Sequence, residues 1–151
     1  MIRVFLDANV IFAASDSATG AARVLVRLSK QAEGITLLAT PYTIDEAERN
    51  IQRELPSAHP EFLAVREHLS TTLEPSEELV ANLNTHLPSG IRLPKKDLPV
   101  LGGAIVADAD WLLTHDGDHF GPLYGKTVQG VEIMKPSTAL RRLRRPAKGV
   151  S

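Results

Sequence analysis

Asp7, Glu46, Asp97, Asp116 and Asp118 are the residues whose type and placement could do chemistry together. Asp7 directly follows the apolar run Ile2 to Leu6. Glu46 lies early in an amphipathic stretch that follows a second apolar run, Ile35 to Ala39. Asp97 opens the stretch KKDLPVLGGAIVADADWLLTHDGDHF, residues 95–120, and Asp116 and Asp118 close it. Carboxylates gathered without cationic partners repel one another and raise one another's pKa, so a fold that collects them needs an offsetting charge. A divalent cation is the simplest offset. Oxygen donors with few nearby histidines and no cysteine suit Mg²⁺ or Mn²⁺ better than zinc. One such ion makes a nucleophile of bound water. A second, about 4 Å away, stabilises the leaving oxygen of an in-line phosphoryl displacement.

Each acid also has a local explanation. Asp97 precedes Leu98-Pro99, and its carboxylate is placed to cap a helix whose first turn tolerates proline. Glu46 sits where a helix dipole favours negative charge, and Asp116-Gly117 is a common turn pair. Asp7 is harder to explain that way, because a carboxylate at the end of a buried strand needs partners. Asp45 and Glu48 flank Glu46, so the register of the second acid stays open between Glu46 and Glu48.

The elements that would position these acids alternate. Apolar runs predict strands at residues 2–6, 35–39, 111–114 and 131–134, with a short edge strand at 70–74. Apolar spacing predicts helices at 21–32, 43–55, 60–69, 77–87, 98–107 and from 136 to the arginine-rich end. Residues 120–130 read as a loop. Unalternating apolar strands belong to a parallel sheet covered on both faces. The pattern predicts an α/β fold: a single three-layer α/β/α domain over residues 1–145, with a central, mostly parallel sheet of four to five strands. Residues 146–151 are predicted to form a flexible tail. In such a fold a helix leading into a strand starts at the edge where that strand ends. Asp7, Glu46, Asp97 and Asp116 then share the carboxyl edge, where open α/β sheets place their sites, while Asp108 and Asp110 fall at the opposite end. Gly102-Gly103 predicts close approach of the 98–107 helix to the sheet.

Composition narrows the partners. The chain has 151 residues, 43% hydrophobic and 23% charged, with a formal net charge of −1, so polyanion binding must come from a local patch or from metal ions. It has no cysteine, which removes disulfides, thiolate metal sites and thiol nucleophiles and agrees with a reducing cytoplasm. The expected localisation is cytoplasmic, with no signal peptide and no membrane span. Arg141, Arg142, Arg144 and Arg145 support two readings, phosphate contacts or a solvated helix end complementing the helix dipole. His115 and His119 read as solvated loop residues, and Trp111 as core.

The order of LDANV, IDEAERNI, KKDLPVLGGAIVADADWLLTHD and VEIMKPSTALRRL resembles the PIN domain, and within it the bacterial toxin-like nucleases typified by VapC. The likeness covers nearly the whole chain. It implies that Asp7, Glu46, Asp97 and Asp116 are the metal-binding acids, with Asp118 as an accessory ligand, and that Asn9 and Thr114 orient them. It also implies a Mg²⁺- or Mn²⁺-dependent endoribonuclease that leaves a 5′-phosphate and a 3′-hydroxyl. A homodimer and a cognate antitoxin are the implied partners. Two alternatives stand beside it. One is a non-catalytic PIN-like module that binds RNA or protein. The other is a haloacid-dehalogenase-like phosphatase, which wants a second Asp where this chain has Asn9.

Overall fold

Strand β1 (Ile2–Leu6) lies at the centre of the sheet, paired in parallel with β2 (Ile35–Ala39) on one side and β4 (Trp111–Leu113) on the other. The computed structural model describes residues 1–144. Arg145 and the predicted tail at 146–151 lie outside the described residues. β3 (Leu69–Thr71) pairs in parallel with β2, and β6 (Val131–Met134) with β4. β5 (Thr127–Val128) runs antiparallel to β6. The sheet order is β3-β2-β1-β4-β6-β5, six strands where four to five are predicted.

Burial of both faces of β1 explains why Val4, Phe5 and Leu6 are apolar in unbroken succession, with Arg3 at its half-buried start. Val4 and Leu6 enter one core, shared with α1 (Ala8–Asp16), α2 (Ala21–Gln31), α3 (Pro41–Glu54), α4 (His59–Arg66) and α7 (Pro136–Arg144). Phe5 enters the other, with residues of α6 (Leu98–Val106) and, at its margin, α5 (Glu77–Asn82). Leu37 and Leu38 of β2, and Trp111 and Leu112 of β4, divide between the cores in the same way. Three layers follow, as predicted.

Four local differences have physical causes. Residues 8–16 form α1, for which the sequence carries no amphipathic signal. Its buried residues, Ala8, Val10, Ile11, Ala14 and Ser15, face several directions because it packs against α2, α3 and α4. The predicted loop at 120–130 contains β5, joined to β6 through Gln129 and Gly130, both at positive φ (49° and 84°). That is the backbone of a tight hairpin turn, with Gln in a position where Asn or Asp is the usual signal. Helix α3 starts earlier than predicted, at Pro41, because Thr40 and Thr43 form a reciprocal capping box. The glycine pair divides its roles. A Cβ on Gly103 would lie 2.9 Å from Thr40 and 3.1 Å from Phe5, so Gly103 permits the approach to the sheet, whereas Gly102 faces Pro75 and Leu79.

Candidate metal centre at the carboxyl edge

Asp7 leaves β1 and turns the chain into α1. Its Oδ1 accepts the Ala8 N–H at 2.7 Å, and its Oδ2 accepts the Thr114 hydroxyl at 2.8 Å and the Asn9 amide at 3.3 Å. The Thr114 hydroxyl also accepts from Asn9 Nδ2 and from the Asp116 N–H, while Asn9 Oδ1 accepts the His115 N–H. One buried threonine at the end of β4 therefore ties Asp7, Asn9 and Asp116 into a single network. Asp7 is 5% exposed. Burial is the main reason its carboxyl is raised from 3.8 to about 6. The Thr114 and Ala8 hydrogen bonds oppose the rise, and the charges of Glu46 and Asp97 add to it.

Asp97 does not cap α6. Its backbone is already helical (φ −93°, ψ −16°), so the carboxylate does not reach back to the first-turn N–H groups. It points instead toward the loop after β4. There its Oδ2 lies 2.8 Å from His119 Nδ1, which in turn lies 2.9 Å from Asp116 Oδ2. Donor atoms of Asp97, Asp116 and His119 all fall within 4.8 Å of one another. Asp97 is 7% exposed. Burial raises its carboxyl above the ordinary range, partly opposed by His119 and reinforced by the Asp116 charge.

Glu46 faces this region from α3. Its charge raises Asp7, and together with Asp97 and Asp7 it raises the Tyr42 phenol, whose main cause is burial. Glu48 belongs elsewhere: its Oε2 lies 2.9 Å from His59 Nε2. The structure therefore brings Asp7, Glu46, Asp97 and Asp116 together and directs Glu48 away. Asp118 is exposed and does not join the cluster, lining instead an open cleft with Arg92, Lys95 and His119.

His119, read from the sequence as a solvated loop residue, is inside the cluster. The turn that carries it is closed by its own N–H donating to Asp116 Oδ1 at 3.1 Å, and the next residue, Phe120, is fully buried. The spacing Asp116-x-x-His119 within a turn was the available signal. The arginines divide. Arg142 makes a double hydrogen bond to Glu132 at 2.8 and 2.6 Å and lies over Trp111, so it is engaged in the fold. Arg141 lines a groove with Lys135 and Tyr124, and Arg144 is exposed.

Among the described residues, no Lys or Arg forms an ion pair with Asp7, Glu46, Asp97 or Asp116. Asp97 Oδ2 and His119 Nδ1 are buried without hydrogen-bond partners, because neither of their close contacts has hydrogen-bonding geometry. Orphaned donor atoms converging with uncompensated carboxylates fit a divalent cation.

No family model matches the sequence, and no curated protein matches it. Solved structures match the fold. VapBC2 from Rickettsia felis, bound to a DNA fragment from its promoter, is similar with a TM-score of 0.64 over 89% of this chain and 98% of that one, at 16% identity. FitAcB from Neisseria gonorrhoeae matches with a TM-score of 0.57 over 89% and 98%, at 18% identity. VapC20 from Mycobacterium tuberculosis, a sarcin-ricin loop cleaving toxin, matches with a TM-score of 0.53 over 83% and 98%, at 13% identity. The chain has a VapC-like PIN fold. Within that fold the acids occupy the carboxyl edge of the parallel strands, and no helix of the described residues is long and apolar enough to cross a membrane.

Proposed function

We propose that the protein is a divalent-metal-dependent endoribonuclease, the toxin of a toxin–antitoxin pair. The observation that carries this reading is Asp97: a buried carboxylate with an unpartnered oxygen, facing Asp116 and His119, in an acidic cluster without Lys or Arg ion pairs. Among the described residues Asp97 caps no helix and pairs with no Lys or Arg. The structural likeness to VapBC2, FitAcB and VapC20 supports the reading.

Asp97 and Asp116 would hold Mg²⁺ or Mn²⁺, with Asp7 and Glu46 extending the negative field on the side facing α3. When bound, the ion supplies Lewis acidity toward a phosphoryl oxygen and an attacking water. Thr114 and Asn9 hold Asp7 in one orientation, so no side-chain reorganisation is needed when charge develops at phosphorus. Water adds to phosphorus, the P–O3′ bond breaks, and the products carry a 5′-phosphate and a 3′-hydroxyl. The cleft lined by Arg92, Lys95 and His119 and the groove lined by Lys135 and Arg141 flank this edge. They supply the cations that position an RNA backbone whose charge the net-negative chain does not attract globally. In the same reading the protein forms a homodimer, and a cognate antitoxin covers the site.

The test is cleavage of a structured RNA pool with Mn²⁺ or Mg²⁺ and after chelation, comparing the wild type with folded Asp97→Asn and Glu46→Gln variants. Metal-dependent cleavage lost in both variants, with ends mapped as 5′-phosphate and 3′-hydroxyl, supports the reading. Folded protein that binds RNA and never cleaves it would make the chain a non-catalytic binding module.

A further inference from the structure

His119 Nδ1 lies 2.8 Å from Asp97 Oδ2 and 2.9 Å from Asp116 Oδ2, yet neither oxygen meets the angle required of a ring N–H hydrogen bond. An imidazolium serving only to neutralise two carboxylates would aim its N–H at one of them. Here Nδ1 and Asp97 Oδ2 are buried side by side without bonding. The spacing has a second meaning. Ligand bonds of about 2.1 Å at right angles separate neighbouring donor atoms by about 3 Å. The two observed separations match the edges of such a coordination sphere.

The main chain that carries the ring is also held in place. Asp116 Oδ1 accepts the His119 N–H, the buried Phe120 fixes the chain beyond it, and Asp97 arrives from the start of α6. Asp7 is not part of this trio: the donor atoms that lie within 4.8 Å of one another are those of Asp97, Asp116 and His119, and Asp7 is held beside them by Ala8, Thr114 and Asn9. Resting on the metal-dependent reading above, we propose that His119 Nδ1 is a direct ligand of the divalent ion, with Asp97 and Asp116, and that this nitrogen shifts ion preference from Mg²⁺ toward Mn²⁺. Both ions take oxygen donors, but Mn²⁺, a first-row transition ion, tolerates an imidazole nitrogen better than the harder Mg²⁺. An all-carboxylate site of the same shape would lack that bias.

The test loads the full chain with Mn²⁺ alone and records electron spin echo envelope modulation. The expected result is nitrogen modulation from a bound imidazole in the wild type and in His115→Gln, its absence in His119→Gln, and its alteration on ¹⁵N-histidine labelling. Calorimetry with each ion is expected to show Mn²⁺ affinity falling in His119→Gln by at least the roughly tenfold that loss of an outer-sphere partner costs, and Mg²⁺ affinity falling less, so that the Mn²⁺-over-Mg²⁺ ratio drops. The wild-type and labelled spectra, with modulation retained in His115→Gln, decide the question even if His119→Gln does not fold. Bound Mn²⁺ without nitrogen modulation, or an unchanged affinity ratio in folded His119→Gln, would overturn the ligand assignment and leave the nuclease reading intact. Failure of the wild type to bind Mn²⁺ at all would overturn both.

Discussion

Asp7→Asn is expected to stabilise the metal-free protein at neutral pH while removing its activity. In the fold, burial raises the Asp7 carboxyl from 3.8 to about 6. A shift of about two pKa units corresponds to about 3 kcal/mol. That energy is the cost of keeping Asp7 ionised inside the fold above pH 6. The sign follows from proton binding: between pH 3.8 and 6 the folded chain retains a proton that the unfolded chain has released, so stability falls as pH rises through that window and is level above it. Asparagine carries no such charge. Its Oδ1 can still accept the Ala8 N–H, but its amide cannot replace the Oδ2 that accepts from Thr114 and Asn9, and the Thr114 hydroxyl already accepts from Asn9 and Asp116. The two lost hydrogen bonds cost about 1 kcal/mol each. The net gain is about 1 kcal/mol at pH 7.5, or about 2–4 °C in Tm for a chain of this size. Thermal denaturation in EDTA at pH 4, 5, 6 and 7.5 reads it. The advantage of Asp7→Asn should be nearly absent at pH 4, grow through pH 6, and shrink when Mn²⁺ is added, because the ion stabilises the ionised wild type. A variant no more stable than wild type at pH 7.5 without metal, with an unchanged pH profile, would refute the reasoning.

Other substitutions separate the roles of neighbouring residues. Thr114→Val removes the hydroxyl that serves Asp7, Asn9 and Asp116, and calorimetry should show metal affinity falling by about 10–100-fold. Glu46→Gln should abolish RNA cleavage, whereas Glu48→Gln should retain it and lose about 1 kcal/mol or less in urea denaturation, the value of a half-exposed pair with His59. Gly103→Ala should destabilise by about 1–3 kcal/mol, because its Cβ would lie 2.9 Å from the fully buried Thr40 and 3.1 Å from Phe5, while at Gly102 the nearest atoms, of Leu79 and Pro75, lie at 3.1 Å and the cost in the same assay should be smaller. Arg142→Ala should leave RNA affinity unchanged in a filter-binding titration, since its guanidinium already pairs with Glu132, whereas Lys135→Ala should weaken it.

The parallel strands were legible because β1, β2 and β4 are buried on both faces and carry no polar alternation. That placed Asp7 and Asp116 at one edge before any contact was known. Asp97 followed from the helix-to-strand geometry of residues 97–114, although its expected capping role was incorrect. α1 was not legible, because a helix enclosed by α2, α3 and α4 has no polar stripe to reveal its period. β5 escaped because two residues are too few for alternation and the turn uses Gln129 at positive φ. The choice between Glu46 and Glu48 depended on the placement of His59 across the α3–α4 contact, which no local pattern encodes. His119 was missed for a similar reason: its two carboxylate contacts include one from Asp97, distant in sequence, and a histidine in a loop after a strand carries no local sign of burial.

Titration of Mn²⁺ into metal-free wild-type protein and folded Asp97→Asn at pH 7.5, followed by calorimetry, probes the carboxyl-edge cluster most directly. Saturable, stoichiometric binding to the wild type that is lost in Asp97→Asn is the expected result. Equal binding to both proteins, or none to the wild type, would contradict a metal centre built on Asp97.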